Sequence, residues 1–376
     1  MKIVLLPSNF SPDMTGIANT ASRLYRWLKE KGHNVSVVTF TARYYKDADI
    51  PEWARGNDIY RYCPSLRRGK IASLLDSIKL AVIIWRTCRN ADIIMTMGWS
   101  LLNIGLRISL VCMGRKKIVM AFRGNDGWKY DSSARINLRK WFAMRSHVIT
   151  NSSALKYHLE RKSIPVQDVI WSEADFELFD RSLNKPEPNH VVMVKGLYPV
   201  GGADVALEAV HELCKRGVKV RMTFAGDGPL REELTERARK YGISDCVRFK
   251  GSVAHHRVPD LLARAEVFVL SSNLESSPHV VAEAMAMAKP VAATATDGTA
   301  EFIKHGLTGM LSPVGDHKAL ADNIEYLLRN KKEASAMAEN AWQFAKNKLS
   351  LDCCFNQYQE IFDRLHEKNE RDNLSH

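Results

Sequence analysis

Apolar residues fall in short blocks along this chain of 376 residues, and the blocks alternate with longer amphipathic stretches. Ile3-Val4-Leu5-Leu6 is the first block and predicts a buried strand. A loop over 7–16 and a helical pattern over 17–31 follow, Gly32-His33-Asn34 ends the helix, and 35–40 reads as a second strand. Strand, helix, strand at the outset points to a parallel sheet. Further strands are predicted at 92–95, 117–122 and 148–150, the last leading into a helix with Ser152 or Ser153 near its cap. Asn184-Lys185-Pro186-Glu187-Pro188-Asn189 sets two prolines among polar residues and suits neither helix nor strand, so a linker is expected there. A second series begins at Val191-Val192-Met193-Val194, with a helix over 202–216, a strand over 218–225, a helix over 229–241 and strands at 246–249 and 267–270. An amphipathic helix near 354–369 closes the chain. The length exceeds one ordinary core, so two domains are expected.

Composition adds three limits. The hydrophobic fraction of 45% and charged fraction of 26% are those of a soluble globular protein. The opening segment is too short for a signal peptide, and no apolar run approaches the ~20 residues of a membrane span. Seven scattered cysteines without a Cys-x-x-Cys pair argue against a disulfide framework or a zinc site and point to a reducing cytoplasm. Charge is one-sided: residues 1–185 carry 30 Lys and Arg against 16 Asp and Glu, while the whole chain is +12. An excess of that size attracts an anionic partner such as acidic lipid head groups or a lipid diphosphate. Nucleic acid is disfavoured, because no binding motif or interleaved aromatic residues accompany the basic runs.

The richest chemistry lies in Ser271-Ser272-Asn273-Leu274-Glu275-Ser276-Ser277-Pro278-His279-Val280-Val281-Ala282-Glu283. It follows the apolar block 267–270 and opens a short helix, with Ser277 expected at the cap and Pro278 at the first helical position. Glu275 then sits on the loop and Glu283 inside the helix. Between them lie backbone N–H groups without helical partners, at the positive end of the helix dipole. That arrangement suits a phosphate flanked by two acceptors for hydroxyls, the parts of a sugar nucleotide.

The full string, Ser271, Glu275, Pro278, Glu283-Ala284-Met285-Ala286, Pro290-Val291, Asp297-Gly298 and Glu301, resembles the signature of family 4 retaining glycosyltransferases. So do the opening unit from Lys2 to Thr39 with Gly32-His33-Asn34-Val35, the segment Asn151-Ser152 with Asp175 to Phe179, and Ala225-Gly226-Asp227-Gly228-Pro229. The resemblance implies an α/β protein of the GT-B fold, two Rossmann-like parallel-sheet domains facing each other across a cleft. Residues 1–185 would form the acceptor domain, with the helix 354–376 packing back on it. Residues 190–353 would form the sugar-nucleotide domain. It implies further that Glu275 contacts the donor sugar, and Glu283 the nucleotide ribose. Ser277, Pro278, His279 and Val280 would meet the donor at the helix start, and Ser252 and Val253 would pass near its base. The cofactor expectation is none: the co-substrate is a UDP- or GDP-sugar and no metal is needed. Asp47-Ala48-Asp49 has the form of a metal-nucleotide site in another glycosyltransferase fold, but it sits in a polar loop here.

Other positions carry expectations of their own. Gly16, in the first strand-to-helix loop, allows close approach of a phosphate. Arg123-Gly124-Asn125-Asp126 follows a strand whose carboxyl end faces ligand in open sheets. Arg123 stands where the family commonly has His. It cannot be a base, so it is expected to pair with a phosphate, with the acceptor or with Asp126, which is expected to orient an acceptor hydroxyl. The family's diphosphate-binding Arg and Lys are replaced by Gly196 and Gly201, leaving Lys195 as the neighbouring cation. His255-His256 reads as a solvated loop pair. The helix Ile71 to Trp85, after Arg67-Arg68-Gly69-Lys70, suits either the core or a membrane surface, and Arg115-Lys116-Lys117 reads as a solvated turn. The reading is a glycosyltransferase acting on a saccharide or lipid-linked saccharide in bacterial envelope polysaccharide synthesis, cytoplasmic or peripheral at the inner face of the plasma membrane. Its rivals are a GT-B sugar-nucleotide 2-epimerase and a sugar-nucleotide-binding paralogue with reduced catalysis.

Overall fold

The first apolar block becomes strand β1 (Lys2–Pro7) of a computed structural model that describes residues 1–13, 15–40, 50–62, 70–98, 117–124 and 140–374. It pairs in parallel with β2 (Asn34–Phe40) on one side and β4 (Ile93–Met97) on the other. Helix α1 (Gly16–Glu30) starts where the Thr15 hydroxyl accepts the Ala18 N–H at 3.1 Å. Its buried Ala18, Ala21, Leu24 and Leu28 form one stripe. With β3 (Ile59–Tyr62), β5 (Lys117–Phe122), β6 (His147–Thr150) and β7 (Asp168–Val169), the sheet runs 3-2-1-4-5-6-7 among the described residues. Such doubly wound sheets bind ligands at the carboxyl ends of their strands. One face, with Val4, Leu6, Ile94 and Met120, is covered by Leu80 and Ile84 of α2 (Lys70–Cys88) and Leu155 and Leu159 of α3 (Ser153–Arg161). Each such buried side chain contributes roughly 1.5–3 kcal/mol.

The second sheet joins β8 (His190–Val194), β9 (Arg221–Ala225), β10 (Val247–Gly251), β11 (Val267–Leu270), β12 (Val291–Thr294) and β13 (Met310–Ser312) in the order 10-9-8-11-12-13. Its helices are α4 (Ala203–Lys215), α5 (Arg231–Lys240), α6 (Val258–Arg264), α7 (His279–Ala286), α8 (Asp297–Phe302), α9 (His317–Arg329) and α10 (Lys331–Lys348). Val191, Met193, Val267 and Val269 enter one core with Leu207 and Ile324. Val192, Phe268 and Leu270 enter another with Leu261, Val281 and Ala341. Successive strand residues face opposite sides, and helices cover both, so these strands are apolar without alternation.

The chain divides into two units, Met1–Ile170 with Phe355–His376, and Trp171–Cys354. The boundary expected at 185–190 is therefore corrected. The proline-bearing stretch is tied into the second unit: the Asn184 amide donates to the Met287 carbonyl at 2.7 Å, and the Lys185 N–H to the Ala263 carbonyl at 3.0 Å. The chain passes from the first unit to the second earlier, between Ile170 and Trp171. The last helix, α11 (Leu351–Leu374), is longer than expected and joins the first unit from Phe355 on. There Phe355 meets Trp27 edge-on at 5.8 Å, and Gln359 lies 2.7 Å from the His33 ring.

Candidate active site

Beyond β11 the chain runs as a loop to Pro278, which occupies the cap of α7. Ser277 is not the cap. Its hydroxyl instead accepts the Ser172 N–H at 2.8 Å, and the His279 ring lies 3.3 Å from the Glu173 carbonyl. Proline at the cap fixes the entry angle, so serine one residue earlier is left to bind the buried 172–173 segment. The N–H groups of His279 and Val280, in the first turn, have no acceptor within the helix. Glu275 stays on the loop, where its carbonyl accepts the Gly298 N–H at 3.1 Å. A β-carbon at Gly298 would stand 2.0 Å from the Ser276 carbonyl oxygen, so only glycine allows α8 to back the loop this closely. Glu301 of α8 accepts the Trp171 ring N–H at 2.7 Å.

The loop after β8 supplies the cation. The Lys195 ammonium pairs directly with the Glu275 carboxylate, and the two side chains are 27% and 11% exposed. Lys195 thus turns towards the carboxylate segment rather than to solvent. The loop is pinned there: the Asn273 N–H donates to the Val200 carbonyl at 2.9 Å, and the Ser271 hydroxyl to the Gly202 carbonyl at 2.6 Å. At Gly201 a β-carbon would lie 2.7 Å from the Gly196 carbonyl oxygen. A lysine cannot stand at 201 on this loop path, which accounts for one of the two departures from the family pattern.

Glu283 projects from α7 and is 2% exposed. Its carboxylate accepts a hydrogen bond from His255 Nε2 at 2.8 Å. His255 lies on the turn after β10 and packs edge-on against Phe179, 5.4 Å between ring centres. The reading of 255–256 as a solvated pair is corrected for His255, whereas His256 is exposed. The pairing was missed because it joins residues 28 apart; its one visible sign was a histidine just past the carboxyl end of a strand. Ser252 and Val253 lie on the same turn, Ser252 exposed and Val253 half-buried. Lys289, past α7, is buried and donates to the Ala263 and Ala265 carbonyls at 3.1 and 2.9 Å; burial pushes its ammonium down to about 8.

In the first unit, Gly16 is the exposed first residue of α1 rather than part of the loop. Arg123 is 3% exposed and donates to the Thr20 hydroxyl at 2.8 Å and the Tyr358 hydroxyl at 2.6 Å. Asp126, Asp47, Asp49, Arg67, Arg68, Arg115 and Lys116 lie outside the described residues. Among the described residues, no three His, Cys, Asp or Glu side chains gather as a metal site requires. A cavity of about 210 Å³ lined by Arg221, Arg248, Lys250 and Arg264 opens at the amino ends of β8 to β10, the end of the sheet away from Glu275. Glu187 already pairs with Arg221 and Arg264 there.

Two family profiles match, one on each unit: "Glycosyltransferase Family 4" over residues 14–170 and "Glycosyl transferases group 1" over 175–344. The chain belongs to the family 4 glycosyltransferases. Among its relatives are the alpha-D-kanosaminyltransferase of Streptomyces kanamyceticus, 32% identical over 164 residues, and the amylovoran biosynthesis glycosyltransferase AmsK of Erwinia amylovora, 28% identical over 185. These matches cover 44% and 48% of this chain and 42% and 46% of the relatives, so under half of each relative is spanned. The solved structure of Anabaena Alr3699/HepE in complex with UDP superposes with a TM-score of 0.78 at 20% identity, covering 97% of this chain and 100% of that one. That likeness establishes the GT-B fold for this family 4 member.

Proposed function

We propose that this chain moves a sugar from a nucleotide-sugar donor, a UDP- or GDP-sugar, to a hydroxyl of a saccharide or lipid-linked saccharide acceptor, with retention of configuration, in cell-envelope polysaccharide synthesis. One observation carries the reading. Lys195 pairs with Glu275 beyond the carboxyl ends of β8 and β11, and the helix α7 that opens just after Glu275 carries the buried Glu283. The Anabaena structure holds UDP, and AmsK is named for amylovoran biosynthesis, which fit the donor and the pathway class.

In this reading Glu283 accepts hydrogen bonds from the ribose hydroxyls and Glu275 from the donor sugar. The N–H groups opening α7 and the Lys195 ammonium face the diphosphate. Charge grows on that diphosphate as the sugar leaves, and a cation placed in advance lowers the barrier. A donor phosphate oxygen takes the acceptor proton, Asp126 orients the acceptor hydroxyl, and no metal enters. Gly16 lets a phosphate approach the start of α1. Arg123, held by Thr20 and Tyr358, anchors the carboxyl end of β5 on the acceptor side.

The acceptor side also fits an anionic membrane surface. The outer face of α2 exposes Ile78, Val82 and Trp85, with Lys79, Arg86 and Arg89 beside them. Among the described residues, no helix is long and apolar enough to cross a membrane. An apolar ridge flanked by cations is the pattern of a helix lying in the interface.

The deciding assay incubates the chain with UDP-sugars and GDP-sugars, with and without envelope saccharide acceptors. Nucleoside diphosphate released only when acceptor is present, with one new glycosidic bond of the donor's configuration, is the expected result. Epimerised donor without acceptor, or tight donor binding with no release at all, overturns it in favour of one of the two rivals.

A further inference from the structure

We propose that His255 is a positioning residue for the nucleotide: it fixes the Glu283 carboxylate in the orientation that receives the ribose hydroxyls. This deepens the function proposed above and rests on its assignment of Glu283. The two residues belong to different elements. Glu283 rises from α7, while His255 sits on the turn after β10, and their side chains meet at 2.8 Å.

A carboxylate at 2% exposure has little water around it, and burying it is costly unless hydrogen bonds satisfy it. His255 Nε2 supplies one such bond to the Glu283 Oε1 atom. That bond holds the carboxylate by one oxygen and so sets the direction in which it meets a diol. Fixing the carboxylate in advance removes its rotamer cost from the binding step. His255 is in turn held from behind, because its ring packs edge-on against the fully buried Phe179 at 5.4 Å. The aromatic ring on one side and the carboxylate at Nε2 together restrict how the His255 ring can turn. The turn that carries it also carries Ser252 and Val253, so donor base and ribose would be addressed from one short segment.

The test titrates the full chain with UDP, GDP, ADP and dTDP by calorimetry, and repeats the titration on variants with the nucleotide that binds best. Glu283→Ala is expected to weaken that nucleotide by at least about 10-fold. If it does not, or if no nucleotide binds the wild type, the assignment of Glu283 fails and this inference with it. With that established, His255→Phe, which keeps the ring but removes the donor, is expected to weaken binding about 10-fold. His255→Gln, whose amide nitrogen reaches the same place as Nε2, stays within about 3-fold of the wild type. The double variant His255→Phe with Glu283→Ala binds no more weakly than Glu283→Ala alone, because the two changes remove one shared interaction. In turnover, His255→Phe raises the donor KM and leaves kcat close to the wild-type value. His256→Gln, at the exposed neighbour, changes neither. Wild-type binding by His255→Phe, or additive losses in the double variant, overturns the inference while leaving Glu283 in place. Should His255→Phe fail to fold, His255→Ala takes its place in the cycle under the same criteria.

Discussion

Lys195 and Arg123 are both cations that sit just past a strand, and their surroundings differ completely. Lys195 faces the Glu275 carboxylate with about a quarter of its side chain still exposed. Arg123 is sealed at 3% exposure, and two of its donors go to the neutral hydroxyls of Thr20 and Tyr358. The first arrangement leaves a charge that an incoming diphosphate can share. The second uses a charge as a tie between α1, β5 and α11. Strand-end position marks a residue as near ligand; only its partners reveal whether it is available to one.

Three substitutions press on that contrast, in falling order of effect. Glu275→Ala, which removes the carboxylate facing Lys195, is expected to cut turnover by about 100- to 1000-fold, the scale of a lost transition-state contact. Steady-state kinetics reads this, and a loss confined to donor affinity would contradict it. Arg123→Met should act on folding instead, costing about 2–4 kcal/mol in denaturant unfolding, because it removes the two buried hydrogen bonds to Thr20 and Tyr358. A fully stable but inactive Arg123→Met protein would move Arg123 into the reaction. Lys195→Met should lower kcat by about 10- to 100-fold with little change in stability; a large unfolding penalty would mean that the ion pair holds the loop.

Lys289 offers a third kind of cation, one bound only by backbone carbonyls. Its folded pKa, about 8, lies below the ordinary 10.5. Between those values the unfolded chain keeps a proton that the folded chain has released, so stability rises with pH across that window. Below pH 8 the burial cost is present in full. Comparing the wild type with Lys289→Met from pH 7.5 to 10.5 should therefore show a relative gain for the wild type of about 2–3 kcal/mol. A flat difference would show that the ammonium is not held at a cost. The smallest effect belongs to the outer face of α2, where Trp85→Ala should weaken sedimentation with phosphatidylglycerol vesicles several-fold, and raised salt should weaken it further.

The two kinds of information in the chain were unequal. Parallel strands buried on both faces announce themselves as apolar blocks, so β1, β2, β8, β9 and β11 were legible. Strands β3 and β7 were not, because both lie at sheet edges: β3 is only partly buried and β7 has two residues. The carboxylate pair was legible from a contiguous string. His255 and the Lys195–Glu275 contact were not, since each joins segments that only the sheet order brings together. The linker was misplaced because prolines mark a break in regular structure, which need not be a break between units. Trp171, where the chain changes unit, carries no such mark: its ring is anchored by Glu301, 130 residues on.

The central claim is that the second unit holds the donor by Glu283 and Lys195. A crystal structure of the full chain with a bound nucleoside diphosphate tests it most directly. The account predicts ribose hydroxyls within hydrogen-bond distance of Glu283 and a diphosphate oxygen about 3 Å from the Lys195 ammonium. A nucleotide seated instead in the cavity beside Arg221, Arg248 and Arg264, or one that touches neither Glu283 nor Lys195, would contradict it.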